Sequence, residues 1–162
     1  MTRSKQRVLA VAARCGRLGA VVVDAGDLII WDTSGKGAKS VKGAVAALKG
    51  WVEEFQPDVI VTENPDCAGR KKGRQLRILR AFADVGQEAS ALNLVIRRER
   101  KFENAYEEAA QFAAQFPDLA PLIPAKPPIW GNEPYGLIYF EALALVRDAG
   151  LLGTGTELGK RA

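Results

Sequence analysis

Apolar and polar positions fall into blocks whose period changes along the chain. Residues 8–13 (VLAVAA) form a short apolar run after a charged lead, which predicts a buried strand. Gly16-Arg17 predicts a turn, 18–23 (LGAVVV) a second strand and 28–31 (LIIW) a third. Ala25-Gly26-Asp27 is a tight-turn signal between β-rich runs, so the three strands predict an antiparallel meander. After a polar loop at 33–37 (TSGKG) the period becomes helical. Val41, Val45, Leu48, Val52 and Phe55 recur at steps of 4, 3, 4 and 3, a single stripe, with Lys39, Lys42 and Lys49 off it. Pro57-Asp58 ends that helix. The unbroken run 59–62 (VIVT) predicts a strand buried on both faces. A polar, basic loop at 67–72 precedes a helix over 74–85, with Leu76, Leu79, Phe82 and Ala83 towards the core. A fifth strand is expected at 92–96 (LNLVI) and a helix, carrying Glu103, Glu107 and Glu108, over 102–116. The proline-rich stretch 117–128 predicts an irregular connection. Asn132-Glu133-Pro134 predicts the start of a final apolar helix over 135–148.

The order β-β-β-α-β-α-β-α-α predicts an α/β mixed sheet with helices on its faces. A chain of 162 residues suits one domain, expected over 1–150, with a flexible tail over 151–162. Apolar residues at 48% and charged residues at 26% exclude a disordered chain. No apolar run approaches the ~18 residues that span a bilayer. The charged start leads into no signal-cleavage pattern, and two cysteines, Cys15 and Cys67, build no disulfide framework, so a cytoplasmic location is expected. The chain has no histidine, which excludes Ser-His-Asp triads, Cys-His pairs and histidine-ligated zinc. Acid–base or metal chemistry then falls to carboxylates, lysines and tyrosines.

Net charge is only +4, but the cations are clustered. Arg70, Lys71, Lys72, Arg74, Arg77 and Arg80 lie within eleven positions, and Arg97, Arg98, Arg100 and Lys101 within five. These windows hold ten of the 23 cations, the electrostatic footprint of a polyanion, nucleic acid first. The alternative is a solvated face. The loop at 33–37 lacks the spacing of a phosphate-binding loop. Trp130 is open to a base-stacking role or a packing one.

The element order is that of the ribonuclease H-like fold, with three antiparallel strands before two parallel ones. The segment Pro57-Asp58-Val59-Ile60-Val61-Thr62-Glu63-Asn64-Pro65, with the basic stretch after it, resembles the RuvC-like Holliday-junction resolvases within that superfamily. Trp130-Gly131-Asn132-Glu133-Pro134, running into Ile138-Tyr139-Phe140-Glu141, resembles their closing helix. The likeness spans about residues 7–149. It implies Mg²⁺ or Mn²⁺ held by acidic residues from the first strand, the fourth strand and the last helix, and in this chain by Glu63, Glu133 and Glu141. It also implies branched DNA as partner, a homodimer, and phosphate contacts from Arg70, Lys71, Lys72, Arg74, Arg77, Arg80, Arg97 and Arg98. Cleaving a phosphodiester in line benefits from two metal ions about 3.5–4 Å apart, and Mg²⁺ prefers carboxylate oxygens.

The chain departs from the pattern at strand one, where Ala12 occupies the position of an expected aspartate, and no acid precedes Asp24. Asp24 and Asp27 should lie at the far end of the hairpin, and Asp66 on a loop. Glu133 also reads as an acid favoured by the helix dipole. Glu141, eight residues on from Glu133 and among apolar neighbours, needs a partner, a metal or a way out to solvent. Three readings follow. The chain is a metal-dependent endonuclease with an altered acidic site, an inactive relative that binds DNA, or an interaction module.

Overall fold

The computed structural model describes residues 6–14, 16–68, 71, 73–98, 105–122 and 137–152. Three strands come first, β1 (Arg7–Arg14), β2 (Arg17–Asp24) and β3 (Asp27–Ser34). Ala25 and Gly26 join β2 to β3 with φ of 57° and 86°, the paired positive values of a two-residue hairpin turn. Helix α1 (Val41–Phe55) follows, capped by the Ser40 hydroxyl, which accepts from the Gly43 amide at 2.9 Å. Then come β4 (Val59–Glu63), α2 (Arg74–Glu88), β5 (Leu92–Ile96), α3 (Ala105–Gln115) and α4 (Leu137–Asp148). The strands assemble in the order β3-β2-β1-β4-β5. The β1–β2 and β2–β3 pairs are antiparallel, and the β1–β4 and β4–β5 pairs parallel. This is the mixed five-stranded sheet that the element order predicts.

Alternation along the strands sorts the helices onto two faces. Val8, Ala10 and Ala12 of β1, with Val59 and Val61 of β4, point to the side of α3 and α4. Leu9, Val11 and Ala13 point the other way, to α1 and α2. Burying β1 and β4 on both faces accounts for their unbroken apolar runs.

Four boundaries differ from the sequence expectation. Strand β3 continues through the polar residues Asp32, Thr33 and Ser34, which pair with Ala20, Gly19 and Leu18. An edge strand has room for them, and Asp32 accepts from Trp51 Nε1 at 3.0 Å. Helix α2 extends to Glu88 and buries Ile78, Leu79, Phe82 and Gly86, while Leu76 and Ala83 are only half-buried. The first part of the proline-rich stretch is not irregular. Pro117–Leu122 forms a 3-10 turn, which the fixed φ of proline tolerates, and Leu119 is fully buried against the α3–α4 side. Beyond α4, Leu151 and Leu152 pack on that same core, so the packed chain extends past residue 150. Residues 102–104, 123–136 and 153–162 lie outside the described residues.

Helix α4 lies low on the sheet because its floor is made of small residues. Gly19 of β2 pairs with Ala12 of β1, and a Cβ at Gly19 would stand 2.3 Å from Ile138 Cγ1. Helix α4 is almost wholly buried, from Leu137 to Val146, apart from Tyr139. Gly19→Ala should therefore force α4 away from the sheet and cost about 1–3 kcal/mol of stability, measured by urea unfolding. An unchanged unfolding midpoint would show that the helix is not held at this distance.

Candidate functional site

The site lies at the end of the sheet where β1 and β4, which run parallel, both finish. Glu63 is the last residue of β4, and alternation from Val59 and Val61 turns its side chain to the α4 face. Ala10 pairs with Val61, so continuing the register two residues brings Ala12 beside Glu63. Arg14, two residues further along β1, belongs to the same face. Glu141 descends from α4, in the middle of the stretch that the small floor lets down. Lys71 arrives from the segment between β4 and α2.

These four side chains meet. Lys71 Nζ donates to Glu63 Oε1 at 2.7 Å and also to Glu141 Oε2. Arg14 Nη1 donates to Glu141 Oε1 at 2.6 Å. Glu63 and Glu141 are only 4% and 3% exposed. Burial pushes the Glu141 carboxyl up, but the charges of Lys71 and Arg14, with the Lys71 hydrogen bond, outweigh it and hold the group below its ordinary value. Glu141 is therefore ionised, and two carboxylates face two cations with no net charge.

The resemblance implies divalent metal here, and the donor set decides whether it fits. Mg²⁺ and Mn²⁺ sites need several converging carboxylates, and position 12 supplies a methyl group. Both carboxylates present are already bridged by the ammonium of Lys71, and the second oxygen of Glu141 is taken by Arg14. A divalent ion added to this neutral cluster would leave it at +2. Among the described residues no group of three or more acidic or sulfur ligands converges on a possible metal position. The described residues do not fit a two-metal centre.

The remaining expected site residues fall in different places. Glu133, Arg70 and Lys72 lie outside the described residues. Lys71, expected on phosphate, is turned inwards onto the acidic pair. Arg74, Arg77 and Arg80 are exposed along α2, with Arg80 3.9 Å from the exposed Asp66 carboxylate. Arg97 is exposed, whereas Arg98 turns inwards, its Nη2 2.7 Å from Glu108 Oε1. Glu108 also meets Arg147 Nη2 at 2.8 Å, and the Arg147 guanidinium lies 5.3 Å above the ring of Phe112. Burial works against the Arg147 charge, but Asp148 and Glu108 more than offset it. Asp24 does not replace the missing ligand. It pairs with Arg7 at 3.1 Å at the opposite end of β1, and Asp27, the first residue of β3, lies opposite it across the turn. Arg14 has no role in the sequence expectation, although it is the first charged side chain on the Ala12 face of β1 and so was available as a signal.

Thermus thermophilus RuvC superimposes on this chain with a TM-score of 0.56 at 14% identity, covering 95% of this chain and 97% of that one. The same protein in complex with Holliday junction substrate gives 0.53 at 14% identity, over 92% and 99%. Fowlpox virus resolvase, in complex with substrate Holliday junction DNA, gives 0.51 at 12% identity, over 96% and 98%. The chain has the RuvC-like resolvase fold. No protein-family model and no curated protein matches the sequence. On this RuvC-like fold, Glu63 and Glu141 converge at one sheet end, but they do so around a lysine. Among the described residues no helix is long and apolar enough to cross a membrane.

The depressed Glu141 carboxyl fixes the sign of a pH dependence. A group lowered on folding contributes stability above its unfolded value, near 4.5, that is lost as pH falls through the folded value. Between roughly pH 5 and pH 3 the wild-type chain should lose stability more steeply than Glu141→Gln. At neutral pH that variant should be less stable by roughly 3–5 kcal/mol, since it leaves buried cations unbalanced. Parallel pH slopes for the two proteins in urea unfolding would place the titration elsewhere.

Proposed function

We propose that this chain is a nucleic-acid-binding protein of the RuvC-like fold, that it recognises branched DNA, and that it holds its acidic pair closed rather than loaded with metal for cleavage. The observation that carries this reading is Lys71 lying between Glu63 and Glu141, at the sheet end where Ala12 stands in place of a carboxylate. Branched DNA is taken from the similar folds of RuvC and the poxvirus resolvase, each seen with a Holliday junction. The exposed row Arg74, Arg77 and Arg80, with Arg97, supplies the phosphate contacts. Arg74 opens α2 only three residues after Lys71, so the row starts at the acidic end of the sheet.

A second reading, a divalent-metal-dependent endonuclease, is favoured by the convergence of Glu63 and Glu141. It requires Lys71 to leave the pair and further acidic ligands to join it, with Glu133 the candidate from the sequence. The deciding experiment incubates a labelled four-way junction and a linear duplex with the protein and Mg²⁺ or Mn²⁺. Binding of the junction without cutting is expected. Metal-dependent cleavage by the chain as it stands would establish the second reading instead. Absence of binding to either DNA would move the interaction-module reading to the front.

Junction affinity should fall steeply with salt, because each phosphate neutralised releases condensed counterions. Replacing Arg74, Arg77 and Arg80 together by Ala should weaken binding and leave the unfolding midpoint unchanged. The same variant should flatten the salt slope by about one for each phosphate no longer neutralised. Equal affinity of the triple variant and wild type would remove α2 from the interface.

A further inference from the structure

The charge balance at the end of β4 reaches beyond DNA binding. The cluster has one carboxylate fewer than a metal-binding arrangement with an acid at position 12, and one buried ammonium more. The two changes compensate. An acid at position 12 without Lys71 would leave three carboxylates against Arg14, a charge of −2, which one divalent cation would neutralise. With Ala12 and Lys71 the net charge is zero. Lys71 also has the reach of a ligand-bridging ion. It joins the last residue of β4 to the middle of α4, groups 78 residues apart in sequence (141 less 63), and its own backbone amide is tied to Ala68 at 3.3 Å.

We propose that Lys71 is a resident cation that has taken the structural place of a divalent ion, so that this end of the sheet assembles without metal. It is a positioning residue. It fastens α4 to β4 and fixes the chain immediately before α2, and with it the start of the arginine row. The last of these consequences rests on the proposed DNA reading; the ammonium lock does not. Binding of DNA in this scheme is indifferent to metal, and exchanging the pair Ala12 and Lys71 for a carboxylate and a neutral side chain converts the lock into a cation site.

The test uses Mn²⁺ as the probe. Wild-type protein is titrated with Mn²⁺ by electron paramagnetic resonance, and its Tm is measured in EDTA and in excess Mn²⁺. Lys71→Met and the double variant Ala12→Asp, Lys71→Met are treated alike. Wild type should show no stoichiometric Mn²⁺ binding, and its Tm should agree within about 1 °C in the two conditions. Lys71→Met should lose roughly 5–15 °C, because a neutral side chain leaves the buried carboxylates short of charge. The double variant should bind one Mn²⁺ and gain roughly 5–10 °C when the ion exceeds its Kd about 100-fold. Tight Mn²⁺ binding by wild type overturns the proposal, as does a Lys71→Met protein as stable as wild type or a folded double variant indifferent to Mn²⁺. Should neither variant fold, the wild-type titration alone decides. Four-way-junction binding is measured on the same wild-type samples in EDTA and Mn²⁺. Loss of binding in both with the Mn²⁺ results as expected rejects the DNA reading and leaves the lock standing. Tight Mn²⁺ binding with intact junction binding rejects the lock alone.

Discussion

A carboxylate carried beneath a buried helix has to meet positive charge, and the sheet end of this protein is organised around meeting it at Glu141. Taking an ionised carboxyl out of water costs several kcal/mol after relaxation, and only close, hydrogen-bonded cations offset that. Arg14 and Lys71 provide them from two different parts of the chain. The same lysine serves Glu63, eight residues before it, so the end of β4 and the middle of α4 are joined at one ammonium. Deleting any member leaves the others as uncompensated buried charge, which is why the cluster behaves as a unit.

The burial itself follows from a second constraint, the thinness of the layer under α4. Ala10, Ala12 and Gly19 give the helix almost nothing to rest on except backbone, and Ile138 fills the space directly over Gly19. Ala12 therefore has two effects at once. It keeps the floor low, and it withholds the oxygen ligands that an acid would bring. Charge balance and close packing point to the same small side chain, which is the agreement between levels expected of a sequence that specifies one structure.

Much of this was legible in the sequence, for identifiable reasons. The strands β1, β2, β4 and β5 are short apolar runs bounded by turn residues, and α1 was legible as a helix, although its buried residues are Ala44, Leu48, Trp51 and Phe55 and not the expected stripe through Val45. Glu63 and Glu141 could be singled out because one ends a β-branched run and the other interrupts an apolar helix. The length of β3 was hidden because its second half is polar, and only pairing with β2 keeps it extended. Leu119 was hidden by the prolines around it. The inward turn of Lys71 and of Arg98 was not legible at all. Each is one cation in a cluster, and what separates it from its neighbours is buried carboxylate, Glu63 and Glu141 for Lys71 and Glu108 for Arg98. Of the two that hold Lys71, Glu141 lies 70 residues away. Sequence clustering identifies a basic region, but the tertiary fold decides which of its cations remain available to a partner.

The ion cluster at the other end of α4 has a consequence for how the protein opens. Arg147 and Asp148 in the last turn are tied, through Glu108 and Arg98, to α3 and to the segment leaving β5. Glu141, nearer the start, is tied to β1 and to the chain after β4. Helix α4 is thus fastened electrostatically at its middle and at its last turn, with an apolar stretch between. Buried with β1 and β4 in one core, its amides should exchange together with those of the central strands. Exchange at α4 should then report the opening of the whole sheet.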